Sequence, residues 1–410
     1  MSRRRSDVLY CEGPGDIVSS YKSWKEGINH LSETSVTFSG QVFEFCRSEN
    51  LSLYAVSSFA RADRLVDKQW TVVNLPRWPI NIPKIGYDLS VTIHSVRLLL
   101  LAFRIRPKVI LMSIGVTGFA ILSLFRLTGA NIVVIAHNTL WPEGFPPSGM
   151  VATVRRQAQR FLWRQCVAST IVVSPAAQRQ IQTVSGVPSE SIHVFRPTFP
   201  AASFADVPAP KQFSSRPFRI MFAGRIEEDK GVFDLLSIAE GLKAASNRAF
   251  QFSVCGDGSA VGSLRQQIEA RGLQEVVKIY GRLNRPELVA RYLDSHLVVV
   301  PTRSSFAEGF AMVVAESILL LRPVLTSKVV PASEVLSSAV ILASTDEVQS
   351  YVLGIKALSN DERRYIELVE ECRRLRPFLL NNSNSFLAAL HAVRLSNAWA
   401  GDHEAPPGLA

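Results

Sequence analysis

Two acids, Glu308 and Glu316, stand eight residues apart in Ser305-Phe306-Ala307-Glu308-Gly309-Phe310-Ala311-Met312-Val313-Val314-Ala315-Glu316-Ser317. The first opens a glycine-containing turn and the second falls in a helix-like run. Across Glu308, Gly309, Phe310 and Ala311 the turn can aim successive backbone N–H groups at an anion, where the dipole of the following helix favours negative charge. With a helix starting near Phe310, Glu316 would lie almost two turns inside it, within reach of a second part of the same ligand. A diphosphate at the turn and a ribose diol at Glu316 fit that spacing, which is the outline of a nucleotide sugar. Two acids on a helix are more often solvated charges, so the reading depends on the company they keep.

That company lies upstream. Phe222-Ala223-Gly224-Arg225-Ile226-Glu227-Glu228-Asp229-Lys230-Gly231 follows a strand-like run, Phe218 to Phe222, and precedes a helix-like one, Val232 to Lys243. Gly224 and Gly231 bracket a turn carrying two cations. Arg225 can grip phosphate oxygens bidentately and Lys230 can supply a compact charge, a pairing suited to a diphosphate leaving group, although a surface ion cluster with Glu227, Glu228 and Asp229 is the plain alternative. Phe252 to Gly258 is a second strand ending in Gly256-Asp257-Gly258, and Val276 to Leu283 a third, with Gly281 and Arg282 at its end. Val298 to Val300 leads directly into the glutamate turn. Strands that alternate with helices and deliver loops on one edge predict a parallel sheet with ligands at its carboxyl ends.

In this order, Gly224-Arg225, Lys230-Gly231, Gly256-Asp257-Gly258, Gly281, Glu308 and Glu316 resemble the donor half of the retaining GT-B glycosyltransferases called family 4 or group 1. The likeness runs from Phe218 to Glu334. It implies an α/β chain of two Rossmann-like, doubly wound domains facing a central cleft. It also implies a nucleotide diphosphate sugar donor (UDP or GDP), no obligatory metal and no cofactor. Arg225 and Lys230 would hold the diphosphate, Glu308 the donor sugar and Glu316 the ribose. The chain departs from the pattern at Leu321-Arg322-Pro323-Val324, where the family has a glycine, and at Pro331-Ala332 before Glu334, where it often has a glycine pair.

In the first half, Val8 to Cys11 reads as a strand ending in a loop with Gly13 and Gly15, where backbone could approach a sugar or phosphate across the cleft. Ile132-Val133-Val134-Ile135-Ala136 delivers His137 to a carboxyl edge, where the resemblance places a histidine against the donor sugar. It is also the evident candidate for a base. Ile171 to Val173 repeats the pattern with Ser174, read as a cleft-wall residue.

A length of 410 residues with 47% hydrophobic content fits two buried cores and excludes disorder for most of the chain. The expected division is 1–200 for an acceptor and membrane-facing domain, 201–217 for a proline-marked linker and 218–380 for the donor domain. Residues 381–396 would form a helix crossing back to the first domain, and 397–410 a loose tail. Lys and Arg outnumber Asp and Glu by 22 to 12 up to residue 205 and balance at 23 to 23 beyond it, so the net +10 belongs to the first half. With no nucleic-acid motif present, an anionic membrane surface is the expected partner of that charge. Val151 to Cys166 reads as an amphipathic helix with Arg156, Arg160 and Arg164 on one side and Val154, Ala158, Phe161 and Leu162 on another. The aromatic loop Leu140 to Pro147 before it would touch lipid or shape an acceptor pocket.

The longest uncharged run, Val109 to Phe125, reads as a strand, a turn and a helix rather than a membrane span. The start Met1 to Arg5 lacks the apolar core of a signal peptide, which points to the cytoplasm. Five scattered cysteines read as reduced, buried thiols. The expectation is transfer of a sugar from a nucleotide diphosphate sugar to a glycan or lipid-linked acceptor, in synthesis of bacterial surface polysaccharide or lipid-linked oligosaccharide. An epimerase or hydrolase would use the same phosphate grips, and a non-catalytic nucleotide-sugar-binding scaffold would share the basic half.

Overall fold

The computed structural model describes residues 6–27, 35–80, 82, 86–210, 212–245 and 249–396. The expected tail 397–410 and the start at residues 1–5 lie outside them. Among the described residues, fourteen strands form two sheets. The first contains β1 (Val8–Cys11), β2 (Leu53–Ser57), β3 (Asp63–Asp67), β4 (Trp70–Asn74), β5 (Val109–Ser113), β6 (Asn131–Ala136), β7 (Val167–Val172) and β8 (Ile192–Val194), in the order β3-β4-β2-β1-β5-β6-β7-β8. The second contains β9 (Phe218–Ala223), β10 (Phe250–Cys255), β11 (Val277–Gly281), β12 (Leu297–Val300), β13 (Val324–Ser327) and β14 (Val340–Ala343), in the order β11-β10-β9-β12-β13-β14. Every pairing is parallel except the β3–β4 hairpin. Strand order reverses at β1 in one sheet and at β9 in the other, which creates a ligand crevice beyond the strand ends at each point.

The helices that matter below are, in the first half, α1 (Ile17–Lys25), α2 (Phe38–Ser48), α3 (Gly86–Ile105), α4 (Phe119–Leu124), α5 (Met150–Cys166) and α6 (Pro175–Ser185). In the second they are α7 (Asp234–Ala245), α8 (Val261–Ala270), α9 (Arg285–Asp294), α10 (Met312–Leu319), α11 (Ala332–Val335), α12 (Val348–Ser359), α13 (Glu362–Leu380) and α14 (Phe386–Leu395). Burial follows the two-residue strand period. In β1, Val8 and Tyr10 face the core shared with α1 and α2, while Leu9 and Cys11 face the core under α3, α4 and α5. Cys11, Cys46, Cys255 and Cys372 are buried, Cys166 is half-buried, and all five are free thiols.

The chain between the sheets is anchored at its start. Ala201–Phe204 forms a 3-10 turn in which buried Phe204 meets Phe199 edge-on, and Arg376 of α13 donates to the Phe204 carbonyl. The last helix packs on α2 and on β7 and β8 of the first sheet. There the Leu387 N–H donates to Gln41 Oε1 at 3.0 Å, and Arg394 pairs with Glu49 at 3.0 Å.

The departure at Leu321-Arg322 has a physical explanation. Leu321 leaves α10 at φ 60°, a left-handed geometry that favours glycine. Its side chain is buried, and Arg322, also buried, turns its guanidinium back to donate to the carbonyls of Tyr292, Leu293, Leu320 and Leu321 at 2.7–3.3 Å. One fork thereby satisfies the ends of both α9 and α10. Arg322→Met should strip a buried donor from each of those carbonyls, of which Tyr292 keeps the Ser295 N–H, and urea unfolding should show a loss of roughly 3 kcal/mol. A change below about 0.5 kcal/mol would mean water replaces the fork freely.

Candidate active site

β9 and β12 are neighbours, so the loop after β9, with Arg225 and Lys230, lies beside the loop after β12, with Glu308. The glycines are what let these loops close up. Gly224 and Gly256 adopt φ of 151° and 144°, and a Cβ on Gly256 would lie 1.8 Å from the Gly224 carbonyl oxygen. Gly231 ends the β9 loop, Gly258 follows β10, and Gly281 with exposed Arg282 ends β11, all on the same carboxyl edge.

Glu308 is buried, and its Oε2 accepts from Lys230 Nζ at 2.6 Å and from the Thr302 hydroxyl at 3.3 Å. Lys230 Nζ also sits 3.8 Å from the centre of the Phe306 ring, and the exposed Arg225 guanidinium lies 5.2 Å from it. Phe306 thus sets both cations around one aromatic ring. The sequence reading passed over it, although an aromatic two residues before the turn glutamate was the available signal.

The helix after the turn starts at Met312 rather than near Phe310, because Ala311 takes a left-handed conformation, φ 66°. Glu316 therefore stands just over one turn into α10, not almost two. The helix start carries no side-chain cap, and with the Val314 N–H bonded to the Ala311 carbonyl the N–H groups of the residues before it face an anion without a capping side chain. Glu316 accepts from the Tyr292 hydroxyl at 2.7 Å, a partner on α9 that sequence reasoning missed. It borders a cavity of about 270 Å³ whose walls include Gly224, Gly256, Arg282, Leu283, Leu288 and Met312. Glu308 and Glu316 thus flank the two sides of one helix start.

The first half closes on this turn. Thr139 donates its N–H (3.3 Å) and its hydroxyl (2.9 Å) to the Glu308 carbonyl. A Cβ on Gly309 would lie 2.0 Å from the His137 carbonyl, so only glycine permits that approach. Arg179 of α6 donates to both carboxylate oxygens of Glu334 on α11, at 2.8 and 2.7 Å, and to Glu143. The guanidinium holds the Glu334 carboxyl below its ordinary range.

His137 meets the cleft by its backbone and not by its ring. The imidazole stacks on Phe38 at 4.4 Å and meets Phe195 and Phe386 edge-on. Both ring nitrogens are buried without a hydrogen-bond partner among the described residues, and burial pulls the pKa to about 4. The expectation of His137 as a base is corrected accordingly, since in this arrangement neither nitrogen can reach an acceptor hydroxyl. Ser174 is likewise fully buried as the N-cap of α6, accepting from the Ala177 N–H, rather than on a cleft wall. Gly13 and Gly15 lie in the β1–α1 loop, and a Cβ at Gly13 would meet open space.

A family model for glycosyl transferases group 1 matches residues 204–376, and one for glycosyltransferase family 4 matches residues 52–199. The chain belongs to the group 1 glycosyltransferases. It is 25% identical over 226 residues to an alpha-D-kanosaminyltransferase of Streptomyces kanamyceticus, a match covering 52% of this chain and 57% of that protein. The chain spans about half the length of the curated relatives it matches. Among solved structures, sucrose-phosphate synthase from Thermosynechococcus elongatus superposes with a TM-score of 0.70 at 15% identity, over 97% of this chain and all of that one. Anabaena Alr3699/HepE in complex with UDP-glucose superposes at 0.62 and 16% identity, over 97% and 100%. The two parallel-sheet halves are those of the GT-B fold, as the resemblance implied. No helix among the described residues is long and apolar enough to cross a membrane.

The buried His137 ring sets a pH expectation. It is neutral in the folded chain, while the unfolded chain takes up a proton near 6.5, so between about 4 and 6.5 the unfolded state holds more protons. Stability therefore falls as pH drops through that window, by up to roughly 3 kcal/mol from this residue. His137→Phe should keep the aromatic stack and flatten the acid limb of a plot of urea stability against pH. An unchanged slope would place the acid sensitivity elsewhere, for example at buried His94.

Proposed function

We propose that the chain transfers a sugar from a nucleotide diphosphate sugar, UDP- or GDP-linked, to an acceptor hydroxyl with retention of anomeric configuration. The observation that carries this reading is the 2.6 Å Lys230–Glu308 contact at an uncapped helix start, with Glu316 and its cavity on the other side of the same turn. A diphosphate at the turn would lie against Arg225, Lys230 and the free N–H groups around Phe310 and Ala311. The ribose diol would bond Glu316, and the base would rest among Arg282, Leu283 and Leu288. Glu308 would accept from hydroxyls of the donor sugar, its carboxylate held in place by Lys230 and Thr302.

In the reaction, the bond from the sugar's C1 to the diphosphate oxygen breaks and a bond from C1 to the acceptor oxygen forms on the same face. The acceptor proton passes to the departing diphosphate, which suits a site where the His137 ring is turned away. Arg225 and Lys230 neutralise the charge that develops on the diphosphate, a contribution of several kcal/mol when preorganised in a dry site, so no metal is required for that task. Gly13, with open space beside it, and Gly15, with the Glu12 carboxylate beside it, would border the acceptor side. A UDP-glucose complex of a neighbour with the same fold supports uridine as the first nucleotide to try. The setting that fits best is the cytoplasmic face of a membrane, in surface polysaccharide or lipid-linked oligosaccharide synthesis.

The test is nucleotide release from a panel of UDP- and GDP-sugars, with and without extracted lipid-linked acceptors. Lys230→Ala and Glu308→Ala should each lower acceptor-dependent release by roughly a hundredfold or more. Release without any acceptor would replace transfer by hydrolysis or epimerisation, and binding without turnover would favour a scaffold. Glu316→Ala should weaken UDP binding in calorimetry by roughly tenfold, through loss of charge-assisted hydrogen bonds to the diol. Unchanged UDP affinity in that variant would remove Glu316 from the donor site.

A further inference from the structure

A helix that covers one side of a sheet normally shows polar residues to water. α3 does not. Leu98, Ala102 and Ile105 pack inward, and on the opposite side Leu89, Val96, Leu100 and Phe103 are all exposed, Leu100 to 64%. Their spacing of seven, four and three residues places them on one stripe. α4 packs against both α3 and α5, and its last residue, Leu124, and Leu127 just beyond it are exposed, the latter to 71%. On α5, Trp163 is the buried anchor, while Met150, Val154, Ala158 and Phe161 point to solvent. The side chain of Leu162 lies outside the described residues. The apolar stripe of α5 is therefore not the stripe that packs on its own sheet. Three adjacent helices present apolar side chains outward, a pattern that marks an interaction face.

The charge of the same segment points to the partner. From residue 77 to residue 164 there are eleven Lys and Arg against two acids, Asp88 and Glu143. Arg104, Arg126, Arg160 and Arg164 are exposed among the apolar stripes. Interleaved apolar and cationic side chains complement an anionic lipid surface, in which the first enter the acyl boundary and the second meet headgroups.

A cavity of about 630 Å³ opens between the N-terminal turns of α3 and α5, with Tyr87, Thr117, Thr139, Trp141, Ala152 and Arg156 in its walls. Thr139 is also the residue whose hydroxyl donates to the Glu308 carbonyl. Thr139 thus joins the wall of this cavity to the Glu308 turn.

We propose that α3, α4 and α5 form one docking face for an anionic bilayer, and that the cavity between α3 and α5 admits the head group of a membrane-embedded acceptor from that face toward Glu308. The second clause rests on the transferase reading, whereas the first stands without it.

The experiment uses the full chain and vesicles of phosphatidylcholine, alone or with about a third phosphatidylglycerol, sedimented at low and high salt. The protein should bind the anionic vesicles at least roughly tenfold better than the neutral ones, and salt should weaken this binding. Leu100→Glu and Phe161→Glu, both at exposed positions, should each reduce it by roughly tenfold while leaving UDP affinity unchanged. Phosphatidylglycerol brominated on its acyl chains should quench a fluorescence component that Trp141→Phe removes, reporting lipid at the cavity mouth. Equal binding to both vesicle types, or charge variants that bind like the parent chain, would overturn the docking face. So would a dimer that Leu100→Glu dissociates, because the face would then belong to a second copy. Docking without quenching at Trp141 would overturn the acceptor route. Vesicle binding by a protein with no affinity for any nucleotide would remove the transferase reading and leave the face standing.

Discussion

The Lys230–Glu308 pair depends on the whole second sheet and partly on the first. Taking both charges out of water carries a desolvation cost that only close geometry and further hydrogen bonds offset. Here the contact is 2.6 Å, Thr302 adds a donor, and the Phe306 ring lies against the ammonium. None of this is local in sequence. Lys230 comes from the loop after β9, Thr302, Phe306 and Glu308 from the loop after β12, and only the reversal of strand order at β9 makes those loops neighbours. The glycine packing at Gly224 and Gly256 then draws the β10 loop up to the same edge.

Two kinds of contact join the halves, and they differ in what breaking them costs. The anchored linker and α14 bury aromatic surface, with Phe386 against Phe38 and Phe195, so the core runs continuously from one half to the other. By contrast, the Arg179–Glu334 pair is about half exposed on both sides, and exposed pairs of this kind contribute little. At the turn itself the halves meet through the two Thr139 hydrogen bonds to the Glu308 carbonyl and the close backbone approach of Gly309 to His137, which are polar rather than apolar contacts. Opening at the cleft therefore disrupts weak contacts while the strong ones persist at the chain crossings. That division suits a site that must admit a ligand and then exclude water.

Much of this was legible because it is periodic or punctuated. Strands such as β1 and β5 read directly from their apolar runs, and the loops at Gly224, Gly256 and Glu308 read from glycine and charge at strand ends. The roles of His137 and Ser174 were not legible in the same way. A strand end predicts that a residue reaches the carboxyl edge, but not which way its side chain turns. His137 turns into an aromatic cage partly built by Phe386, almost 250 residues later in the chain, and Ser174 turns back to cap its own helix. Thr139 and Tyr292 were missed because a hydroxyl becomes informative only once its partner is known. The helix start slipped by two residues because a left-handed alanine, Ala311, has no signature in sequence.

The two departures from the family pattern show how a local rule can be broken and compensated nearby. Leu321 occupies a glycine geometry, and Arg322, the next residue, supplies hydrogen bonds to the carbonyls that such a turn would otherwise leave bare. At Pro331-Ala332, where flexible glycines would give mobile N–H groups, the Ala332 N–H instead donates to the Phe310 carbonyl at 3.2 Å. Phe310 sits in the turn that follows Glu308, so the Ala332 N–H braces that turn from behind. Glu334, two residues on, is the residue that Arg179 grips across the cleft. The same short helix thus ties the turn to the second sheet and the second sheet to the first. Rigidity that glycine would forgo is placed where the two halves must meet in register.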